Sequence, residues 1–129
     1  MVLIDTHVLI WLMNDSKRLS KGARDAVRQA RAESSLAIAG ITLWELAWLA
    51  ENRRISIPTT LETFLADAVA MVVVKPINPQ IAAFAVRLPT TFPKDPIDRL
   101  IASTAMWEGI PLVTADERIR RSQVVSTIW

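Results

Sequence analysis

The sequence predicts an α/β fold: a three-layer sandwich in which helices flank a mainly parallel central sheet. Two observations carry that expectation. Short apolar runs alternate with amphipathic helical segments along the whole chain, the pattern of strands joined by crossover helices. The helical segments also carry start and stop signals where the alternation needs them, Asn78-Pro79 and Asp95-Pro96 before two helices and Gly109 after one.

In chain order, Val2 to Ile4 reads as a short buried strand, followed by a helical run from about Thr6 to Met13. Ser20 can cap a second helix ending near Glu33, with Leu19, Ala23, Ala26, Val27 and Ala30 on its apolar face. Leu36 to Ala39 is a second strand, and Thr42 to Asn52 a helix. Thr59-Thr60-Leu61-Glu62 contains a Thr-x-x-Glu capping box for a helix reaching about Met71. Val72 to Val74 is a β-branched strand closed by Pro76. A helix follows Asn78-Pro79, and another runs from Asp95-Pro96 to Glu108. Pro111 to Thr114 and Val124 to Ile128 are the last two strands.

Composition limits the chemistry. The 129 residues are 51% hydrophobic and 22% charged, enough for one core, and no linker or repeat divides them, so one domain over residues 1–129 is expected. No apolar run approaches the roughly 18 residues needed to span a bilayer, and the N-terminus has no basic segment or cleavage region of a signal peptide; a cytoplasmic location is the expectation. With no cysteine and a single histidine, His7, thiol chemistry and a typical zinc site are excluded. Carboxylates and hydroxyls must carry any reaction.

The acids fall at informative places. Asp5 directly follows the first strand and Asp116 lies two residues beyond the run ending at Thr114. Ligands of parallel sheets bind outside the carboxyl ends of the strands, although each Asp also suits the cap of a following helix or turn. Glu45 is the only charged residue between Ile41 and Ala50. If buried, it needs a cation, a proton or an escape to solvent, because an unpaired buried carboxylate costs several kcal/mol. Asp95 suits an N-cap. Asp98 shares helical spacing with Ile101, Ala102 and Ala105 and is expected to face inward. Should Asp5, Glu45, Asp98 and Asp116 converge, two charges about 4 Å apart repel by roughly 4 kcal/mol at an effective dielectric near 20. A divalent cation with oxygen ligands, Mg²⁺ or Mn²⁺, relieves that repulsion and can activate water against a phosphate.

Taken together, Leu3-Ile4-Asp5-Thr6-His7, Trp44-Glu45-Leu46, Asp95-Pro96-Ile97-Asp98-Arg99-Leu100-Ile101-Ala102 and Leu112-Val113-Thr114-Ala115-Asp116 resemble the PIN-domain family, most closely its VapC-type ribonuclease toxins of type II toxin–antitoxin systems. The resemblance spans nearly the whole chain. It implies a PIN-like sandwich and a Mg²⁺- or Mn²⁺-dependent endoribonuclease that hydrolyses RNA by metal-activated water, leaving a 3′-hydroxyl and a 5′-phosphate. Asp5, Asp98 and Asp116 would hold metal, and Glu45 would position water or complete the coordination. Thr6 and Thr114 would bond the carboxylates or the water, and Asp95 would be accessory, competing with Asp98 for the third position. The resemblance also implies a homodimer and a small cognate antitoxin. A receiver-like or small-molecule phosphohydrolase domain, and a catalytically silent module that binds RNA or antitoxin, are the competing readings.

For His7, contact with RNA or a carboxylate is one role, and an imidazole satisfied on nearby backbone is the expected one. Setting aside the four acids leaves fifteen basic and nine acidic side chains, an excess of six that suits a polyanion. Lys17, Lys21, Arg24, Arg28 and Arg31 recur at spacings of four, three, four and three, a stripe that serves RNA or is simply a solvated helix face. Arg53, Arg54, Arg118, Arg120 and Arg121 offer further phosphate contacts, and Arg99 pairs with an acid or phosphate or stays solvated. Trp44 and Trp48 share one helix face and are expected in the core, with an oligomer interface as the other reading. No aromatic ladder for stacking bases is visible.

Overall fold

A computed structural model describes residues 1–129. Five strands, β1 (Val2–Ile4), β2 (Leu36–Ala39), β3 (Val73–Lys75), β4 (Leu112–Val113) and β5 (Thr127–Ile128), form one sheet in the order β3-β2-β1-β4-β5. Every pairing is parallel. Seven α-helices connect and flank the strands: α1 (Thr6–Asn14), α2 (Lys21–Ala32), α3 (Gly40–Glu51), α4 (Leu61–Ala70), α5 (Pro79–Val86), α6 (Pro96–Glu108) and α7 (Glu117–Ser122). The expected sandwich is present.

Period-two alternation along the strands divides the core between the two faces of the sheet. Ile4, Leu36, Ile38 and Val113 face one cluster with Val8 and Leu9 of α1, Ala23 and Val27 of α2, Leu46 of α3 and Phe64 of α4. Leu3, Ala37, Ala39 and Leu112 face the other, with Ile101, Ala102 and Ala105 of α6 and Ile119 of α7. Strands covered on both sides must be apolar throughout, as the burial of all four residues of β2 requires.

Most start signals act as expected. The side chains of Ser20, Asn78 and Asp95 cap α2, α5 and α6, and Gly109 ends α6 at φ 66°. That left-handed turn costs glycine least. Other expectations need correction. The cap of α4 is Thr60, which accepts the Thr63 amide, whereas the Thr59 hydroxyl donates to the Thr60 carbonyl; the two adjacent threonines offered both registers and the helix took the second. α3 begins two residues before Thr42, and β3 lies one residue later than Val72–Val74. β5 is confined to the two residues that pair with β4.

The largest correction concerns Trp44 and Trp48. Both are exposed, at 55% and 42%, and not in the core. α3 is apolar nearly all round, so its pattern does not orient it; Thr42 and Leu46 are the residues it buries.

Candidate active site

In a parallel sheet all carboxyl ends of the strands open onto one edge. Here β1 delivers Asp5, and β4 delivers Thr114 and, two residues on, Asp116. α3 contributes Glu45 and α6 contributes Asp98, with Asp95 as its cap. These acids line one cleft of about 370 Å³ together with Thr6, His7, Trp11, Ile101, Ala115 and Arg118. Four acids that are distant in sequence thus line one cleft.

Local chemistry fixes each carboxylate. Asp5 caps α1, its Oδ1 accepting the amides of His7 at 2.8 Å and Val8 at 3.4 Å, while Oδ2 accepts the Thr114 hydroxyl. Thr114 in turn accepts the Asp116 amide at 3.1 Å. Asp116 caps α7 through the amides of Arg118 and Ile119, and its other oxygen lies 3.7 Å from the Arg118 guanidinium. Asp95 caps α6 through the amides of Ile97 and Asp98. The capping role and the site role therefore coexist in Asp5, Asp95 and Asp116. Thr6, buried, donates to Thr42 at 3.1 Å, which ties α1 to α3 one turn before Glu45. The sequence marks Thr42 only by its place three residues from Glu45, which puts it on the same helix face.

The electrostatics follow from crowding. Burial pushes Asp98 up to about 7, helped by the neighbouring charges of Asp95, Asp116, Asp5 and Glu45. Burial also raises Glu45, with Asp5 and Asp95 adding and the Thr6 hydroxyl and His7 opposing. Asp5 is raised by burial against the pull of Thr114, His7 and the backbone amides. Titratable groups displaced this way in a cleft mark functional sites.

The donor set is oxygen-rich, which suits a hard cation and not tetrahedral zinc. No three of the acids and His7 are arranged to hold an ion by themselves. Several carboxylate oxygens are already committed to amides and hydroxyls, so direct ligation would come from few side chains. Mg²⁺ binds in that manner, through one or two carboxylates with several retained waters. The residues present therefore fit such an ion.

Other expected residues are placed differently. The His7 ring is not tucked against backbone; it is exposed and faces Trp11, with centroids 6.2 Å apart. Arg99 pairs with no acid and is half-buried. Its guanidinium donates to the carbonyls of Pro93, Ala85 and Leu88 at 3.0 to 3.3 Å, fastening the end of α5 and the following loop to the start of α6. Lys17, Lys21, Arg24, Arg28 and Arg31 are all exposed, and none lines the acid cleft. Lys21 and Arg28 pair with Asp25, while Arg24, Arg28 and Arg31 border a separate groove floored by Leu12, Leu19 and Val27.

The fold and cleft define an α/β protein with an acidic cleft at the carboxyl edge of a parallel sheet, and comparison with known proteins gives the family. The PIN domain model matches residues 2–124, and the chain belongs to the PIN-domain family. It is 42% identical over 130 residues to Ribonuclease VapC22 of Mycobacterium tuberculosis, covering 99% of this chain and 98% of that protein. Among solved structures it is similar to DNA-bound VapBC from Salmonella typhimurium, with a TM-score of 0.75, 20% identity, and coverage of 98% of this chain and 95% of that one. It is also similar to a toxin–antitoxin complex from Klebsiella pneumoniae, with a TM-score of 0.63, 25% identity, and coverage of 92% and 89%.

Proposed function

We propose that this chain is an endoribonuclease, the toxin of a toxin–antitoxin pair, and that it hydrolyses RNA phosphodiesters with Mg²⁺ or Mn²⁺ that Asp5, Asp98 and Asp116 would hold, directly or through retained waters. The observation that carries the reading is the meeting of Asp5, Glu45, Asp98 and Asp116 in one cleft. Similarity to a named ribonuclease over nearly the full length supports the substrate. When bound, the ion supplies positive charge to the crowded acids and the phosphate, and lowers the pKa of water.

The chain's own groups do the rest. Thr114 and the amides of His7 and Val8 hold Asp5 in one orientation. Glu45, raised by burial and set beside the Thr6 hydroxyl, is placed to orient the attacking water and accept its proton. Arg118, beside Asp116 at the rim, is placed to meet a phosphate oxygen. Asp95 adds negative charge at the rim and keeps α6 aimed into the cleft. The reaction breaks the bond from phosphorus to the 3′ oxygen, leaving a 3′-hydroxyl and a 5′-phosphate.

A small cognate antitoxin and a second copy of the chain are the proposed protein partners. Similarity to toxin–antitoxin complexes supports the first. Exposed Trp44, Trp48, Phe84, Val86 and Trp107 offer apolar surface for such contacts. No helix is long and apolar enough to cross a membrane.

Cleavage of structured RNAs by the wild type and by Asp5→Asn, with Mg²⁺, Mn²⁺ or EDTA, tests the reading. Activity that needs the metal and Asp5 supports it. Activity surviving both chelation and substitution rejects it, and salt-sensitive RNA binding without turnover assigns the chain to a silent binding module.

A further inference from the structure

One wall of the acid cleft is aromatic. His7 and Trp11 stand one helical turn apart on α1, immediately beyond Asp5, with rings 6.2 Å apart and tilted by 54°, and both line the cleft. Trp129, from the far end of the sequence, packs beside Trp11 at 6.0 Å. The guanidinium of Arg18 lies over the Trp11 ring, 4.6 Å from its centre. The ion pairs of the chain all involve other residues, so Arg18 has no carboxylate partner.

His7 already opposes the rise of Asp5 and Glu45, but nothing in the acid chemistry calls for Trp11 and Arg18 beside it. A carboxylate cluster uses N–H and O–H donors and a cation, whereas indole and imidazole faces offer a π surface. Trp11 packs against the core on one side, while His7 and Arg18, which lie against its other parts, are themselves exposed. A π surface covered only by an exposed guanidinium without a carboxylate partner suits a nucleotide: a base can replace the guanidinium on the ring, and the phosphate next to it takes the cation.

We infer that His7, Trp11 and Arg18 form the subsite for a nucleotide flanking the scissile phosphate: its base takes the place of the Arg18 guanidinium on the Trp11 face beside His7, and Arg18 moves to meet the outer phosphate. This rests on the ribonuclease reading. Because the faces of a paired base are covered by its neighbours, the subsite selects an unpaired nucleotide, in a single strand or a loop. Trp129 braces Trp11, so little ordering accompanies stacking. The cluster escapes a scan of the sequence because Arg18 and Trp129 reach Trp11 only through the fold, although the His7–Trp11 spacing of four is visible in it.

The test pairs changes in protein and RNA. A single-stranded RNA oligonucleotide with a mapped cleavage position is made with one abasic nucleotide at each flanking position in turn. Cleavage with Mn²⁺, and binding by fluorescence anisotropy in EDTA, are measured for the wild type, Trp11→Leu, Trp11→Phe, His7→Ala and Arg18→Gln. At one flanking position the abasic change should weaken wild-type binding and kcat/KM about tenfold, chiefly through KM. Trp11→Leu should reduce that penalty to about twofold or less, Trp11→Phe should retain it, and Arg18→Gln should raise KM and lower the salt dependence of binding by about one counterion. Equal abasic penalties in the wild type and Trp11→Leu overturn the subsite while leaving the ribonuclease reading intact. If Trp11→Leu does not fold, the same comparison with His7→Ala decides. A wild type that cleaves no RNA ends both readings.

Discussion

The Thr114 hydroxyl, at the end of β4, donates to Oδ2 of Asp5 at the end of β1 and accepts the amide of Asp116. One buried side chain thereby sets the spacing of two acids from opposite ends of the sequence. Thr114→Val keeps the shape and removes both bonds. It should lower RNA cleavage about 10- to 100-fold, as the loss of a group that orients a metal ligand does, and cost about 1–3 kcal/mol by stranding polar groups. Thr114→Ser should restore most of both. Cleavage rates and urea unfolding of the three proteins check this.

Asp98 makes stability depend on pH. Its carboxyl is pushed up to about 7 from an ordinary 3.8, so the folded chain binds that proton more tightly than the unfolded chain. The group's favourable contribution is complete below about pH 4 and is lost as pH rises through about 7. In EDTA the protein should therefore melt at a lower temperature at pH 8 than at pH 5.5. Asp98→Asn should flatten that dependence and gain about 1 kcal/mol at pH 8, a figure held down by solvent screening of this half-buried group. Millimolar Mg²⁺ should stabilise the wild type at pH 8 and Asp98→Asn less. Thermal melts across this pH range decide the sign.

Arg99 acts as a structural clamp. Three carbonyls from the end of α5 and the loop before α6 accept its N–H groups. Arg99→Leu should cost about 2–4 kcal/mol, and Arg99→Lys should recover only part of it, since an ammonium cannot reproduce the planar fork. Chemical denaturation measures both.

The faces of α3 also give a contrast. Leu46 is fully buried and Trp48 is 42% exposed. Leu46→Ala should cost about 2–5 kcal/mol, whereas Trp48→Lys should cost under about 1 kcal/mol. Equal losses would return Trp48 to the core.

The legible part of the molecule is what local pattern dictates. Asp5 and Asp116 are legible because they follow apolar strands, and Asp98 because its spacing with Ile101, Ala102 and Ala105 gives α6 a single apolar face. α3 has no polar stripe to orient it, so Glu45 could be found as a lone charge while the direction of Trp44 and Trp48 could not. Contacts made by tertiary structure were hidden: the Thr6–Thr42 bond, the Arg99 clamp and the approach of Trp129 to Trp11 join segments whose separation carries no periodic signal. Arg99 was hard for a further reason, because a guanidinium satisfied by three carbonyls leaves no acidic partner to look for.

A crystal of the protein soaked in Mn²⁺, with anomalous scattering measured at the manganese edge, tests most directly whether the acids exist to hold a cation. A manganese peak is expected within the cleft, reached by oxygens of Asp5, Asp98 or Asp116 directly or through one water, and absent from a crystal of Asp98→Asn/Asp116→Asn. Manganese found only elsewhere on the molecule, or a cleft peak of undiminished height in the double variant, would contradict it.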